Sequence, residues 1–375
     1  MSYQKLFEKG CIGGVEIRNR VAMTAMGNGL ATWDGEASPE LIRFYEDRAK
    51  GGCGLIFTEF TRVDENSGAC NPNQLCIATR KHVRSVQRMA ECVHRHGGKI
   101  FVQLHHGGRE APPALNDGKQ TNGLVSTEMT KEDIDDIVGK FVAAAANCKK
   151  AGIDGVELHG AHGYLLGSFI SPYTNKRTDD YGGSVENCCR IVTDIIHGIR
   201  QTCGNYPICV RINGDDFVEG GITLDYAVQV AQVLEAAGAD AINVSCAVYE
   251  TVPNMIEPNY YEEGWRKNLA KTVKAHVHVP VIAVNTIKFP ATAEKLLEEG
   301  VSDFVGVSRG QMADPEWVNK TKAGREDLIR KCMGCMQCNK SVVIDGYLSC
   351  AVNPVTGRGT MYNDEYLIRS GEGKN

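Results

Sequence analysis

Eight short apolar runs, which alternate with helical patterns along the chain, constrain its fold more than any other feature. Each run is rich in β-branched residues and has the length of a strand. They occupy residues 21–26, 54–60, 99–105, 155–160, 207–213, 241–247, 280–285 and 304–309. Strands that are apolar on both faces are typical of parallel sheets covered by helices. The sequence therefore predicts eight β/α units.

The segments between these runs carry helix start signals. Ser38 and Pro39 form an N-cap and first-turn pair, and Thr130 with Asp133 forms a second helix start. The stretch DPEWVNKTKAGRED, residues 314–327, is predicted to be the last helix of the series.

Three joints between a helix and the following strand resemble one another, and each places Gly after the helix and Asp before the strand. They read AGIDGVEL at 151–158, AGADAINV at 237–244 and EGVSDFVGV at 299–307. The G-x-G-x-x-G motif of an open dinucleotide-binding sheet does not occur in the sequence. We therefore predict an α/β fold, a (β/α)₈ TIM barrel over residues 1–330.

The charge balance excludes some classes of partner. Lys and Arg total 41 and Asp and Glu total 46, so the chain has no basic surplus for nucleic acid or an anionic membrane surface. The sequence contains no apolar stretch long enough for a membrane span, and its first residues lack the pattern of a secretory leader. The 15 cysteines are an odd number, which fits a reducing compartment. We expect a cytoplasmic protein.

Four of the cysteines cluster near the C-terminus, at Cys332, Cys335, Cys338 and Cys350. Three closely spaced thiolates and one distant thiolate suit a [4Fe-4S] cluster. A zinc site is the alternative, although zinc sites with four cysteines usually show two separate C-x-x-C pairs. We predict an iron–sulfur segment over residues 331–354 and a polar linker over 355–375.

Polar residues close most of the strands, at the end of a barrel where active sites form. They are Thr24, Glu59, Gln103, His105, His159, Arg211, Ser245, Asn285, Ser308 and Arg309. In HGAHGYLL, the imidazoles of His159 and His162 could bind a carbonyl oxygen that gains negative charge, and Tyr164 could act as a proton donor. Structural roles remain the alternative, and a metal site at H-x-x-H lacks an apparent third ligand. Arg309 is predicted to bind a phosphate, with a surface ion pair as its alternative.

Several long motifs together resemble the old yellow enzyme superfamily, in its iron–sulfur branch with 2,4-dienoyl-CoA reductase, enoate reductases, bile-acid oxidoreductases and trimethylamine dehydrogenase. The motifs are NRVAMTAM at 19–26, VQLHHGGR at 102–109, GVELHGAHGYLLGSFISPYTNKRTDDYGGSVEN at 155–187, VRIN at 210–213 and the four cysteines. The resemblance implies bound FMN. The flavin-binding residues that it implies are Thr24, Ala25, Met26, Phe60, Gln103 and Arg211, and those for the phosphate are Asn285, Gly306, Ser308 and Arg309.

The resemblance also implies the reaction. Reduced flavin would give hydride to an alkene conjugated to a carbonyl, His159 and His162 would hold the oxygen, and Tyr164 would protonate the α-carbon. Steroid or bile-acid enones, enoyl-CoA thioesters and enoates are the implied substrates, with desaturation as the reverse reaction. Three departures are Gly27, where relatives often carry Cys or Thr, the ENCCR segment at 186–190 in place of a more usual ENR-type pattern, and the absence of a His in 248–264.

Two alternatives remain at this point, an electron-transfer subunit without its own substrate and an amine dehydrogenase-like flavoprotein. The His-x-x-His pattern argues against the amine dehydrogenase. Members of this branch continue into FAD- and NAD(P)H-binding domains, so we expect such a reductase region on a missing or partner domain. We also expect a homo-oligomer.

Overall fold

In residues 3–116, 129–284 and 286–361, which the computed structural model describes, the chain forms eleven strands. They are β1 (Gly10–Ile12), β2 (Val15–Ile17), β3 (Val21–Met23), β4 (Leu55–Phe57), β5 (Thr61–Arg62), β6 (Lys99–His105), β7 (Gly155–Gly160), β8 (Ile208–Asn213), β9 (Ala241–Ser245), β10 (Val281–Ala283) and β11 (Phe304–Gly306).

Eight of these strands close into a parallel barrel. The order is β3-β4-β6-β7-β8-β9-β10-β11, and β11 pairs with β3 to complete the ring. Each of the eight predicted runs supplies one barrel strand, so the predicted (β/α)₈ fold is confirmed. The two-residue strand β5 pairs beside the end of β6.

Twelve α-helices lie in the same described ranges, mostly around the barrel. They are α1 (Pro39–Lys50), α2 (Arg80–Arg95), α3 (Lys131–Lys150), α4 (Leu165–Ile170), α5 (Val185–Cys203), α6 (Leu224–Ala236), α7 (Val252–Met255), α8 (Lys267–Lys274), α9 (Pro290–Glu298), α10 (Arg309–Ala313), α11 (Trp317–Lys322) and α12 (Gln337–Lys340). None of them is both long enough and apolar enough to cross a membrane.

The predicted helix starts are present, and one predicted helix is shorter than expected. The Ser38 hydroxyl accepts the Leu41 amide at 3.1 Å, and Thr130 with Asp133 forms a reciprocal capping box. Within 314–327 only Trp317–Lys322 is α-helical, because Gly324 takes a positive φ of 69° and turns the chain. The rest of this stretch forms a short 3₁₀ turn and loop.

The Gly and Asp residues of the three similar joints have distinct structural roles. The glycines have positive φ, at Gly152, Gly238 and Gly300. Each aspartate accepts the backbone N–H at the start of the preceding barrel strand, from Ile100 to Asp154 (2.9 Å), from Ile208 to Asp240 (2.8 Å) and from Val281 to Asp303 (2.9 Å). These bonds fix the register of neighbouring strands at the amino end of the barrel.

The amino end of the barrel is closed by the hairpin β1–β2, which the sequence analysis did not predict. Ile12 and Ile17 belong to one buried cluster with Phe101 and Phe304 from barrel strands. A Cβ on Gly10 would lie 2.2 Å from the Phe304 ring, so only glycine permits this close approach. The functional groups therefore lie at the opposite, carboxyl end.

The C-terminal segment packs on that carboxyl end. After α12, a π-helical turn spans Ser341–Asp345. The side chains of Asn353 and Thr356 both donate to the Met312 carbonyl in α10, at 3.0 and 2.8 Å. Leu348 is completely buried. These contacts hold the cysteine-bearing segment beside the ends of the barrel strands.

Candidate active site

A cavity of about 410 Å³ opens at the carboxyl ends of the barrel strands. Fourteen of the predicted site residues line it: Thr24, Ala25, Met26, Phe60, Gln103, His159, His162, Tyr164, Arg211, Gly306, Ser308, Arg309, Cys332 and Cys338. Asn285, the remaining predicted phosphate ligand, lies outside the described residues. The barrel therefore brings most of the predicted residues to one concave site.

His159, His162 and Tyr164 are buried and in mutual contact. The ring centroids of His159 and His162 are 5.0 Å apart, and the Tyr164 ring is 4.9 Å from that of His159. His159 is the last residue but one of β7, and the turn that follows the strand bends sharply because His162 has a positive φ of 63°. A non-glycine residue held in this region costs conformational energy, which is typical of functional sites.

The hydrogen bonds of the two imidazoles indicate where each carries its proton. Arg211 can only donate, so its 3.2 Å bond uses the Ser245 oxygen as acceptor. The Ser245 hydroxyl can then donate to His162 Nε2 at 2.7 Å, and in that arrangement the proton of His162 lies on Nδ1. The Ala161 amide donates to His159 Nδ1 at 3.4 Å, which leaves the proton of His159 on Nε2.

Both imidazoles are neutral at physiological pH. Burial lowers the pKa of His159 and His162 well below 6.5, and the neighbouring Arg211 lowers both further. Each ring therefore offers one N–H donor without a positive charge of its own. Two such donors can stabilise an oxygen that becomes negative during a reaction.

The hydroxyl of Tyr164 lies 2.9 Å from the hydroxyl of Tyr249. Burial, and then the nearby Tyr249, raise the pKa of Tyr164 well above 10, so its phenol is protonated at neutral pH. Sequence reasoning assigned no role to Tyr249, and its only signal was its position in the loop after β9. His105, another predicted polar strand end, packs edge-on against Tyr164 at 4.5 Å between centroids.

Gln103 and Arg211 lie beside a buried carboxylate that the sequence analysis did not single out. Glu157 on β7 accepts the Gln103 amide and the Asn243 amide, both at 2.7 Å. Arg211 donates to the Ala25 carbonyl at 3.2 Å, but its buried Nε has no partner in the described structure. An unpaired guanidinium N–H beside the cavity fits an acceptor edge of a bound polar ring.

The strand ends β3 and β11 approach closely at the predicted phosphate site. The hydroxyls of Ser308 and Thr24 are 2.6 Å apart, and the Ser308 hydroxyl also contacts the Thr24 backbone. A Cβ on Gly306 would lie 2.9 Å from the Thr24 methyl and 2.6 Å from Val284. Glycine therefore keeps this backbone accessible from the cavity.

Arg309 forms an ion pair, although its partner is not at the surface. Its guanidinium bonds both the carboxylate (3.1 Å) and the backbone carbonyl (2.7 Å) of Glu257, which is buried. Arg266, also buried, contacts the same carboxylate at 3.0 Å. Two guanidinium groups thus share one carboxylate, and this side of the cavity keeps a positive excess that suits an anion.

Glu59 supports the loop after β3 and does not line the cavity. Its carboxylate accepts the backbone amides of Asn28 at 3.0 Å and Leu75 at 3.2 Å. Neighbouring Gly27 does line the cavity, and a Cβ there would lie 2.6 Å from the Phe60 ring and 2.9 Å from the Asn71 amide. Phe60 and Asn71 thus occupy the space of a side chain at residue 27.

The four clustered cysteines line one small cavity next to the large one, and Cys332 and Cys338 line both. Burial raises the pKa of Cys338 and of Cys350, and the neighbouring cysteines raise both further. In the ranges that the structure describes, no group of three or more His, Cys, Asp or Glu side chains meets at a position for a single metal ion.

A closed parallel barrel with a cavity at the carboxyl ends of its strands, into which several polar side chains converge, is the architecture of a barrel enzyme. Its buried Arg211, its neutral imidazoles and the positive excess near Arg309 fit the class of oxidoreductases that bind a flavin nucleotide. The sequence model of the NADH:flavin oxidoreductase / NADH oxidase family matches residues 5–328. The chain belongs to this family, which is that of the old yellow enzymes.

Individual relatives agree with this assignment. An NADH oxidase of Thermoanaerobacter brockii is 44% identical over 96% of this chain, and a cinnamate reductase of Clostridium sporogenes is 33% identical over 96%. The solved structure of a 2-naphthoyl-CoA reductase with 2-naphthoyl-CoA matches 95% of this chain with a TM-score of 0.90 and 28% identity. The chain spans 58%, 59% and 58% of these three proteins, respectively.

Proposed function

We propose that the chain is the FMN-binding part of an ene-reductase, which reduces a C=C bond conjugated to a carbonyl or desaturates the product in reverse. The observation that carries this proposal is the convergence of two neutral N–H donors, from His159 and His162, and the protonated phenol of Tyr164 on one cavity. An enone needs these groups, because its oxygen gains charge and its α-carbon takes a proton.

The residues around the cavity fit FMN. Arg211 and Gln103 would bind the polar edge of the flavin, together with backbone groups of Thr24, Ala25 and Met26. The phosphate would bind near Gly306 and Arg309, where the charge balance favours an anion. Bound FMN would supply the hydride for the β-carbon of the substrate. The unpaired Nε of Arg211 supports this fit, because a buried donor is costly without an acceptor.

The side chains of this protein would perform the remaining chemistry. His159 Nε2 and His162 Nδ1 would donate to the carbonyl oxygen and bind it more tightly as its negative charge grows. Tyr164 would deliver its proton to the α-carbon, and in desaturation its phenolate would accept that proton. Because both histidines stay neutral, the oxygen receives hydrogen bonds without a proton transfer from the imidazoles.

We further propose that Cys332, Cys335, Cys338 and Cys350 hold a [4Fe-4S] cluster. The four residues line one cavity, and a cubane cluster needs four such thiolates because each binds a different iron. A single zinc ion would require four sulfurs around one point. Cys332 and Cys338 also line the large cavity, which suits electron transfer between the cluster and FMN. The electrons would come from an FAD- and NAD(P)H-binding reductase region.

A cinnamate reductase and a 2-naphthoyl-CoA reductase are among the relatives and fit a conjugated carbonyl substrate, whereas an N,N-dimethylglycine/sarcosine dehydrogenase and a histamine dehydrogenase are also among them. Steroid or bile-acid enones, enoyl-CoA thioesters and enoates remain the candidate classes. An electron-transfer subunit without its own substrate is the second candidate, favoured by the cysteine cavity beside the barrel. It would not need the hydroxyl of Tyr164.

An anaerobic experiment separates these two functions. FMN-loaded protein is reduced with dithionite and mixed with 2-cyclohexenone, cinnamate or a 2-enoyl-CoA, and flavin reoxidation and reduced product are followed. We expect Tyr164→Phe to slow alkene reduction about 10²- to 10⁴-fold, the usual contribution of a positioned acid. The matched control is Tyr173→Phe, whose hydroxyl contacts Glu250 at 3.4 Å. Equal rates in the wild type and Tyr164→Phe, or no product from any acceptor, would favour the electron-transfer subunit.

A further inference from the structure

The Tyr164 hydroxyl has a partner that connects it to solvent. Only 6% of Tyr164 is exposed, whereas 44% of Tyr249 is exposed, and their hydroxyls are 2.9 Å apart. We propose that Tyr249 is a proton relay that returns a proton from solvent to Tyr164 after each turnover. This inference rests on the proposed function, in which Tyr164 protonates the substrate.

A relay is needed because Tyr164 is enclosed by rings. Phe60, His105 and His159 lie with their centroids 6.1, 4.5 and 4.9 Å from that of Tyr164. Once Tyr164 has given its proton to carbon, it is a buried phenolate, and an unpaired buried charge is costly. Substrate or product above the site further blocks direct access of water. The Tyr249 hydroxyl, on a residue that is partly exposed to solvent, is the contact through which this charge can be neutralised.

The proton balance of the relay is simple. Tyr164 loses its proton to the α-carbon, Tyr249 passes its own proton to the Tyr164 oxygen, and water reprotonates Tyr249 with release of hydroxide. No electron moves in these steps. Burial raises the pKa of both phenols above the ordinary value near 10, so the proton passes between two groups of the same kind whose pKa values are shifted in the same direction. In desaturation the same steps run in reverse.

The other ionisable groups near Tyr164 are less suited to this role. His105 packs edge-on against Tyr164, but its Nε2 faces the Cys70 sulfur at 3.6 Å, and burial lowers its pKa well below 6.5. Burial raises the pKa of the Cys70 thiol. Glu110 is paired with Arg109 at 2.8 Å. The hydroxyl-to-hydroxyl bond between Tyr164 and Tyr249 is therefore the direct route.

The backbone around Tyr249 is held in place. The Ala247 amide donates to the Asp215 carbonyl at 2.7 Å, and the Ala247 carbonyl accepts the Asn213 amide at 2.9 Å. Ala247 has a positive φ of 73°, a conformation that the surrounding bonds must impose.

The residues that follow Tyr249 are also anchored. The Thr251 hydroxyl donates to the Asp216 carbonyl at 2.8 Å, and Glu250 accepts two bonds from Arg109, at 2.8 and 3.0 Å. Anchors on both sides thus fix the position of the Tyr249 phenol against Tyr164.

The test compares one turnover with many. FMN-loaded wild type, Tyr249→Phe, Tyr164→Phe and the control Tyr173→Phe are reduced with dithionite and mixed with a limiting enone that the wild type reduces. The same proteins are then assayed with excess enone and a saturating concentration of dithionite, so that flavin reduction does not limit the rate. Both assays are repeated with increasing imidazole buffer, because a small acid can replace a missing relay. Flavin content reports whether each variant is folded.

In Tyr249→Phe, Tyr164 still carries its proton, so we expect the single-turnover rate of the wild type. The multiple-turnover rate should fall about tenfold or more, less than the 10²- to 10⁴-fold cost of losing the acid itself, and imidazole should restore it. Tyr173→Phe should match the wild type in both assays.

Wild-type multiple turnover in Tyr249→Phe would overturn the relay, and so would a single-turnover loss as large as that of Tyr164→Phe. A multiple-turnover loss that imidazole does not restore would also overturn it. An unaffected Tyr164→Phe would instead reject the proposed function, so the two failures are distinguishable.

Discussion

The Glu157 carboxylate accepts the side-chain amide of Gln103 at 2.7 Å, completely out of contact with solvent. This bond fixes which way the Gln103 amide is turned, so its carbonyl oxygen remains for a ligand in the cavity. Glu157 also interacts electrostatically with Arg211, which opposes the rise in the pKa of Glu157 that burial causes. One buried carboxylate thus orients two of the residues that we expect to bind the flavin.

Replacing Glu157 by Gln tests this role. The new amide group would face the donors of Gln103 or Asn243, so we expect the free energy of unfolding to fall by about 1–3 kcal/mol, the cost of an unsatisfied buried donor. FMN affinity should fall as well, because Gln103 loses its fixed orientation. Urea unfolding and flavin titration measure the two effects. The control Glu16→Gln removes an exposed partner of Lys9 and should change stability by less than about 0.5 kcal/mol.

The sequence predicted the eight strands because their signal is local. An apolar β-branched run predicts a strand at its own position, and Gly and Asp at a joint predict a turn within a few residues. It also placed His159, His162 and Tyr164 together, since they lie within six residues at the end of β7 and in the turn that follows. The flavin and cluster ligands stay predictions, because they depend on groups that bind between distant segments.

The features that the sequence analysis missed depend on long-range packing. Tyr249 is 85 residues from Tyr164, and Glu257 is 52 residues from Arg309. Neither has a local pattern that distinguishes it from an ordinary loop residue. The hairpin β1–β2 was missed for a similar reason, since its strands of three residues gain their burial from Phe101 and Phe304 across the barrel.

Glu59 should make stability fall as the pH rises. Burial raises its pKa from 4.5 to about 7 in the folded protein. Between these values the folded state binds more protons than the unfolded state, so this contribution is complete below pH 4.5 and lost as the pH passes 7. We expect urea unfolding of Glu59→Gln to lack this component, which amounts to at most about 1.4 kcal/mol per pH unit. Identical pH slopes in wild type and variant would contradict the raised pKa, and Glu8→Gln, at an exposed ion pair, is the control.

His106 should act on stability in the opposite direction. Burial lowers its pKa from 6.5 to about 4, and its Nε2 lies 3.0 Å from the Ser67 hydroxyl. The unfolded state binds more protons between these values, so this contribution is present above pH 6.5 and lost as the pH falls towards 4. His106→Gln should therefore show a shallower loss of stability on acidification, measured by urea unfolding from pH 7.5 to 4.5. His278→Gln, at a 97% exposed side chain, should retain the wild-type slope.

Cys335→Ser tests the proposed cluster with a matched control. Cys335 and Cys11 are both exposed, but only Cys335 lines the small cavity with Cys332, Cys338 and Cys350. A serine hydroxyl is a much poorer iron ligand than a thiolate, so we expect Cys335→Ser to lose most of its iron and acid-labile sulfide, while Cys11→Ser keeps about four irons per chain, as a cubane on four cysteines requires.

FMN should remain bound in both variants, because the barrel residues that we expect to hold it are unchanged. The readouts are iron and sulfide assays and an anaerobic absorption spectrum of the same sample. If the wild type instead contains one zinc ion per chain and no sulfide, the cluster proposal is wrong. The cysteines would then hold a single zinc ion and could not carry electrons to the flavin cavity. Reduction of the enone by dithionite should survive the loss of the cluster, since hydride transfer and the proton of Tyr164 both belong to the barrel.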